Sequence, residues 1–183
     1  HIEKPVSAGK AKSSPVGMSR EPQKLSELDT SDELRFSTGM GELDRVLGGG
    51  AVAGSLVLVG GAPGIGKSTL LLQICNSLCA GRKVLYVSGE ESERQLKLRA
   101  QRIGVNSEEL YILSETRLSD ILEAVESNAP DILIVDSIQT MNHSDVSSST
   151  GSVTQVRECT NAIMRTIKAL DIPTILVGHV NKD

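Results

Sequence analysis

Apolar positions along the chain fall into short uninterrupted runs separated by stretches of helical spacing. Residues 55–59, 83–87, 110–113, 132–135 and 174–177 read as strands, and Ile132-Leu-Ile-Val135 contains no polar position at all. Between them, residues 67–80, 91–102 and 119–127 carry helical patterning, with Gly104 as a stop for the second of these. Val156, Cys159, Ile163, Ile167 and Leu170 mark one face of a later helix that Pro173 ends. Ahead of the first strand, Met40, Leu43, Val46 and Leu47 predict a short helix closed by Gly48, Gly49 and Gly50. Fully apolar strands alternating with helices dictate an α/β fold, a mainly parallel sheet with helices on both faces. In such sheets ligands bind at the carboxyl ends of the strands.

Residues 1–26 break this pattern. They are rich in Lys, Ser, Pro and Gly, lack apolar periodicity, and read as a linker or arm that is expected to be disordered, leaving residues 27–183 as one domain. No stretch approaches the roughly 18–20 apolar residues of a membrane span, and the start has no apolar signal block, so a soluble cytoplasmic protein without membrane contact is expected. The net charge of −4 gives no global attraction for nucleic acid, so any DNA contact must be local. With Phe36, Tyr86 and Tyr111 as the aromatic residues, a base-stacking platform is not expected. Cys75, Cys79 and Cys159 form no Cys-x-x-Cys pair and read as small buried hydrophobes.

The chemistry begins at Gly61-Ala62-Pro63-Gly64-Ile65-Gly66-Lys67-Ser68, which fits G-x-x-x-x-G-K-[ST] and lies between a strand and a helix, as a phosphate-binding loop requires. Its glycines let backbone N–H groups turn inward around phosphates, and the helix N-terminus adds its positive end. Lys67 is placed to reach the β/γ oxygens and Ser68 to offer a hydroxyl to Mg²⁺, with Thr69 next on the helix; ATP or ADP with Mg²⁺ is the expected ligand. Asp136 emerges from a buried strand at the same edge and is expected to hold Mg²⁺ through water, opposite Ser68.

Glu90 and Glu91 end another strand, where two adjacent carboxylates repel unless cations or water engage them. One is the candidate base for the attacking water; Glu90 is favoured and Glu91 is the alternative, while either also suits a helix start. His179 follows the last strand by one glycine, as a γ-phosphate sensor or a solvated loop histidine; Gln139, Asn181 and Lys182 are weaker candidates on the same grounds.

Several motifs resemble the RecA/DnaB/KaiC branch of P-loop ATPases: Ser37-Thr-Gly-Met-Gly-Glu-Leu-Asp44, Leu47-Gly-Gly-Gly50 and a glutamate closing the strand after the loop. Within that branch the chain resembles the RadA/Sms family of DNA-repair ATPases. It does so in Arg35-Phe-Ser-Thr-Gly39, Tyr86-Val-Ser-Gly-Glu-Glu-Ser92, Leu113-Ser-Glu-Thr116, Val135-Asp-Ser-Ile-Gln139, Gly151-Ser-Val-Thr-Gln-Val-Arg-Glu158 and Val177-Gly-His-Val-Asn-Lys-Asp183. The resemblance implies a RecA-like P-loop domain that hydrolyses ATP in a homo-oligomeric ring, binds single-stranded or branched DNA, and processes recombination intermediates as a helicase-like or branch-migration motor. The RecA recombinase is an implied partner.

It also implies that Glu90 activates water, that His179 senses the γ-phosphate, and that Arg99 packs against adenine. Residues 141–153 take the place of a DNA-facing loop, or else form a surface loop, and Arg157 adds charge there. The family's zinc module and protease-like domain flank this segment, which is expected to be truncated at its C-terminal end and to hydrolyse ATP weakly by itself. The alternatives are a KaiC-like signalling switch, which DNA would not stimulate, and a non-catalytic assembly module, which would not turn over.

Overall fold

A computed structural model describes residues 22, 24–27, 35–36, 51–52, 56–61 and 66–179. Of the expected arm over residues 1–26, residues 1–21 and 23 lie outside the described residues, as do the expected helix at 40–47 with its glycine stop and residues 62–65 of the phosphate loop. Backbone packing divides the chain into two units, His1–Asp32 and Glu33–Asp183. In the first, the described element is a single 3-10 turn, Leu25–Glu27.

The second unit holds a five-stranded parallel sheet of β3 (Leu56–Gly61), β4 (Val84–Ser88), β5 (Leu110–Ser114), β6 (Ile132–Asp136) and β7 (Thr174–His179), in the order β3-β7-β6-β4-β5. A small antiparallel pair, β1 (Arg35–Phe36) with β2 (Ala51–Val52), precedes it. Among the described residues, the helices between strands are α1 (Lys67–Leu78), α2 (Glu93–Arg102), α3 (Leu118–Asn128) and α4 (Val153–Leu170).

Strand periodicity assigns the two helical layers. Leu85, Val87, Leu133, Val135 and Leu176 pack with α3 and α4, whereas Val84, Tyr86, Ile132, Ile134 and Ile175 pack with α1 and α2. β4 and β6 are buried at all five positions, which is why they read as continuous apolar runs instead of alternating ones. Each large aliphatic side chain removed from water in this way contributes about 1.5–3 kcal/mol before entropy is counted.

The helices end by local chemistry. Ser92 and Gln95 form a capping box, delaying the start of α2 to Glu93 and freeing Glu90 and Glu91 to sit in a loop. Gly104 closes α2 with φ +77°, as expected of a glycine stop. At the end of α4, Asp171 is left-handed at φ 55°, so the chain has already turned two residues before Pro173.

Because β7 lies between β3 and β6, Gly61 pairs in register with His179, Val177 with Asp136, and Asp136 with Ser88. The ends of four strands therefore converge on one edge. Cys75, Cys79 and Cys159 are free and buried, and burial pushes all three thiols above the ordinary range. Among the described residues, no helix is long and apolar enough to cross a membrane.

Candidate active site

Gly61 ends β3, and Gly66 stands immediately before α1 at φ +106°, a conformation that favours glycine and aims the first helical turn at the strand edge. Ala62, Pro63, Gly64 and Ile65 lie outside the described residues, as do Asn181 and Lys182. Lys67, Ser68 and Thr69 form the opening of α1.

The Lys67 ammonium is the centre of the site. It lies 2.9 Å from Asp136 Oδ1, 3.6 Å from Glu90 Oε2 and 3.4 Å from both ring nitrogens of His179. One ligand atom each from Glu90, Asp136 and His179 fall within 4.8 Å of one another. Asp136 is only 2% exposed, and its Oδ1 meets Lys67 as an ion pair with no aligned hydrogen bond among the described residues.

Its other oxygen accepts from the Tyr86 hydroxyl at 3.1 Å. Burial, then the charge of Asp136, raises the Tyr86 phenol above its usual range, so it remains a hydrogen-bond donor. Sequence reasoning missed this residue. A tyrosine inside an otherwise apolar strand was the available signal, because a buried phenol needs a polar partner.

Glu90 and Glu91 separate. Ser88 Oγ accepts from both of their backbone N–H groups, at 3.4 and 3.1 Å, holding a tight turn from which the side chains diverge. Glu90 Oε1 pairs with His179 Nε2 and accepts from Ser137 Oγ at 3.2 Å. Glu91 Oε1 instead accepts from Ser68 Oγ at 3.3 Å and pairs with Arg99 Nη1 at 2.9 Å. The anticipated repulsion is thus relieved by two different cations. Burial pushes Glu90 up, but the His179 hydrogen bond and the Lys67 charge outweigh it and hold the carboxyl below its ordinary value.

His179 is fixed through its backbone. Gln139, on the 3-10 turn Ile138–Thr140 after β6, donates from Nε2 to the His179 carbonyl at 3.1 Å and accepts from the His179 N–H at 3.2 Å. Gln139 therefore touches the peptide of His179 and holds it in line with the edge. Gly89 packs against the same turn and donates its N–H to the Asp136 carbonyl at 2.8 Å. A methyl group on Gly89 would lie 2.0 Å from Thr140 Oγ1, which is itself bonded to the Ser137 carbonyl at 2.7 Å. Gly89→Ala is accordingly expected to cost about 1–3 kcal/mol as the Ser137–Thr140 turn gives way; thermal unfolding would show it as a lower midpoint.

After that turn, the chain over residues 141–152 is tied to the body. Met141 is buried, and Gln155, 1% exposed, accepts from His143 N–H at 2.9 Å while its amide nitrogen faces the carbonyls of His143, Val146 and Ser148 at 3.0–3.2 Å. Two amide protons face three acceptors, so two of the carbonyls share one proton. Arg157 is exposed, with Glu158 beside it at 3.5 Å.

A lysine at the opening of α1, a buried strand-end acid and a glutamate in the loop after the neighbouring strand thus share one edge of a parallel sheet. Residues 20–183 match the AAA domain family. The chain belongs to that family. Among curated relatives, this AAA domain is 52% identical over 165 residues to the DNA repair protein RadA of Bacillus subtilis, covering 90% of this chain and 36% of the relative. It is 52% identical over 167 residues to RadA of Listeria monocytogenes (89% and 36%) and 51% identical over 160 residues to RadA of Campylobacter jejuni (87% and 36%). The AAA domain spans little more than a third of these relatives. The resemblance to the RadA/Sms ATPase segment and the RecA-like P-loop α/β fold are both borne out.

Proposed function

We propose that this AAA domain binds ATP with Mg²⁺ and hydrolyses it to ADP and phosphate, as the motor of a DNA-repair ATPase that processes recombination intermediates. The observation that carries the reading is the convergence of Lys67, Glu90, Asp136 and His179 on the edge where Gly66 opens α1. The donor set fits the cation: Asp136 offers a buried carboxylate oxygen that, among the described residues, has no hydrogen bond and meets the Lys67 ammonium as an ion pair, and Ser68 a hydroxyl, which are hard oxygen ligands. Mg²⁺ held by Ser68 and Asp136 would neutralise charge on the β- and γ-oxygens.

Lys67 turns from Asp136 to the β/γ oxygens, and His179 from Glu90 to the γ-phosphate. Glu90 accepts a proton from water as the water oxygen bonds the γ-phosphorus and the bond to the bridging oxygen breaks, releasing ADP. Of the three groups that lower Glu90, namely His179, Lys67 and Ser137, the first two are cations that a bound phosphate would attract. Arg99 supplies an adenine contact with its guanidinium plane, and the amide end of α1, opened by Gly66, faces the phosphates.

DNA, single-stranded or branched, meets the loop held by Gln155, with Arg157 supplying local positive charge on a chain of net charge −4. The 1–26 arm, a homo-oligomeric ring, the RecA recombinase as partner, and a cytoplasmic site of action complete the proposal; sequence similarity to RadA proteins supports it. ATP turnover by the longest native form, measured with and without single-stranded DNA, tests it. DNA is expected to raise turnover, and a rate indifferent to DNA would contradict the motor role.

A further inference from the structure

Two adjacent glutamates close β4, and the hydrolysis proposed above uses one of them. We propose that the other, Glu91, is a positioning residue for the magnesium ligand: it takes the proton of the Ser68 hydroxyl in a hydrogen bond and so turns the Ser68 lone pairs toward the ion. This inference rests on the Mg·nucleotide reading and assigns a second carboxylate to it.

A serine hydroxyl carries one proton and two lone pairs, and it ligates a cation only when the proton points elsewhere. Ser68 is 8% exposed, so bulk water is not its ready partner, and its Oγ donates to Glu91 Oε1 at 3.3 Å. That oxygen is held by Arg99 Nη1 at 2.9 Å, from the first helix after the turn. The Glu91 backbone is pinned at both ends, its N–H to Ser88 Oγ at 3.1 Å and its carbonyl by Ser114 Oγ at 2.9 Å. Glu91 Oε2 is buried with no hydrogen-bond partner among the described residues, an unfilled acceptor that a water on a hydrated cation would suit. Glu90 shares none of these side-chain contacts: its carboxylate bonds go to His179, Ser137 and Lys67.

The test is binding of a fluorescent ADP analogue by the full chain, in Mg²⁺ and again in EDTA. Glu91→Ala is expected to weaken binding about tenfold or more in Mg²⁺ and to leave affinity in EDTA unchanged. Glu91→Gln, which keeps an acceptor oxygen, should recover part of the loss. Arg99→Leu should lose more in Mg²⁺ than in EDTA, whereas an adenine contact alone lowers both equally. In a Ser68→Ala background, Glu91→Ala should add nothing further.

Equal losses in Mg²⁺ and EDTA, or additive losses in the double variant, would overturn the role of Glu91 while leaving nucleotide binding intact. A wild-type chain whose affinity ignores Mg²⁺ would overturn the underlying reading, and this inference with it. If Glu91→Ala fails to fold by circular dichroism, Glu91→Gln and Arg99→Leu carry the same comparison.

Discussion

Glu90→Gln is expected to cut ATP turnover by about 10²–10⁴-fold while nucleotide affinity stays close to that of the wild type. The substitution preserves shape and leaves an oxygen that still accepts from Ser137 Oγ, now at 3.2 Å from Glu90 Oε1. What it removes is the capacity to take a proton. Glutamine also lacks the charge that faces Lys67 at 3.6 Å, so the lysine is if anything freer to turn to phosphate. Single-turnover hydrolysis beside equilibrium binding separates the two effects. Loss of binding in step with turnover would make Glu90 structural, and unimpaired turnover would move the base to Glu91.

Lys67→Ala has the second large effect, and it acts in both states of the site. With nucleotide, the β/γ oxygens lose their cation, so turnover and ATP affinity should both fall by at least tenfold. Without nucleotide, Asp136 is left almost wholly buried beside Glu90, its carboxylate retaining, among the described residues, the Tyr86 hydroxyl and the neighbourhood of His179. Removing one partner of a buried ion pair typically costs about 3–5 kcal/mol; because Lys67 retains 17% side-chain exposure, the lower end is expected. Urea unfolding of the nucleotide-free chain would read this as a lower midpoint at constant slope. An unchanged midpoint would mean that Lys67 does not hold Asp136 in the resting molecule.

The residues with the strongest local requirements were legible in the sequence. A phosphate loop needs its glycines and lysine at fixed spacing, and a parallel strand buried on both faces needs an unbroken apolar run. The α/β alternation and the placement of Asp136 at a strand end followed from those two facts. Relations between distant strands were less visible. Nothing in the local pattern says that β7 inserts between β3 and β6, yet that insertion brings His179 opposite Gly61 and within reach of Glu90.

The divergence of Glu90 and Glu91 depends on Ser88 Oγ catching both backbone N–H groups, a three-dimensional detail of one turn. Gln155 stands among polar neighbours at the start of a helix, where nothing local signals that it is buried and clasps the preceding loop. The β1 and β2 pair is two residues long on each side, too short to leave a period.

The proposed hydrolysis of ATP at this edge of the sheet, with Glu90 as base, stands or falls on Mg²⁺-dependent ATP turnover of the wild-type chain and Glu90→Gln at equal and measured nucleotide occupancy. The wild type is expected to release phosphate, and Glu90→Gln to do so at a rate at least about a hundredfold lower. Equal rates at equal occupancy would contradict it.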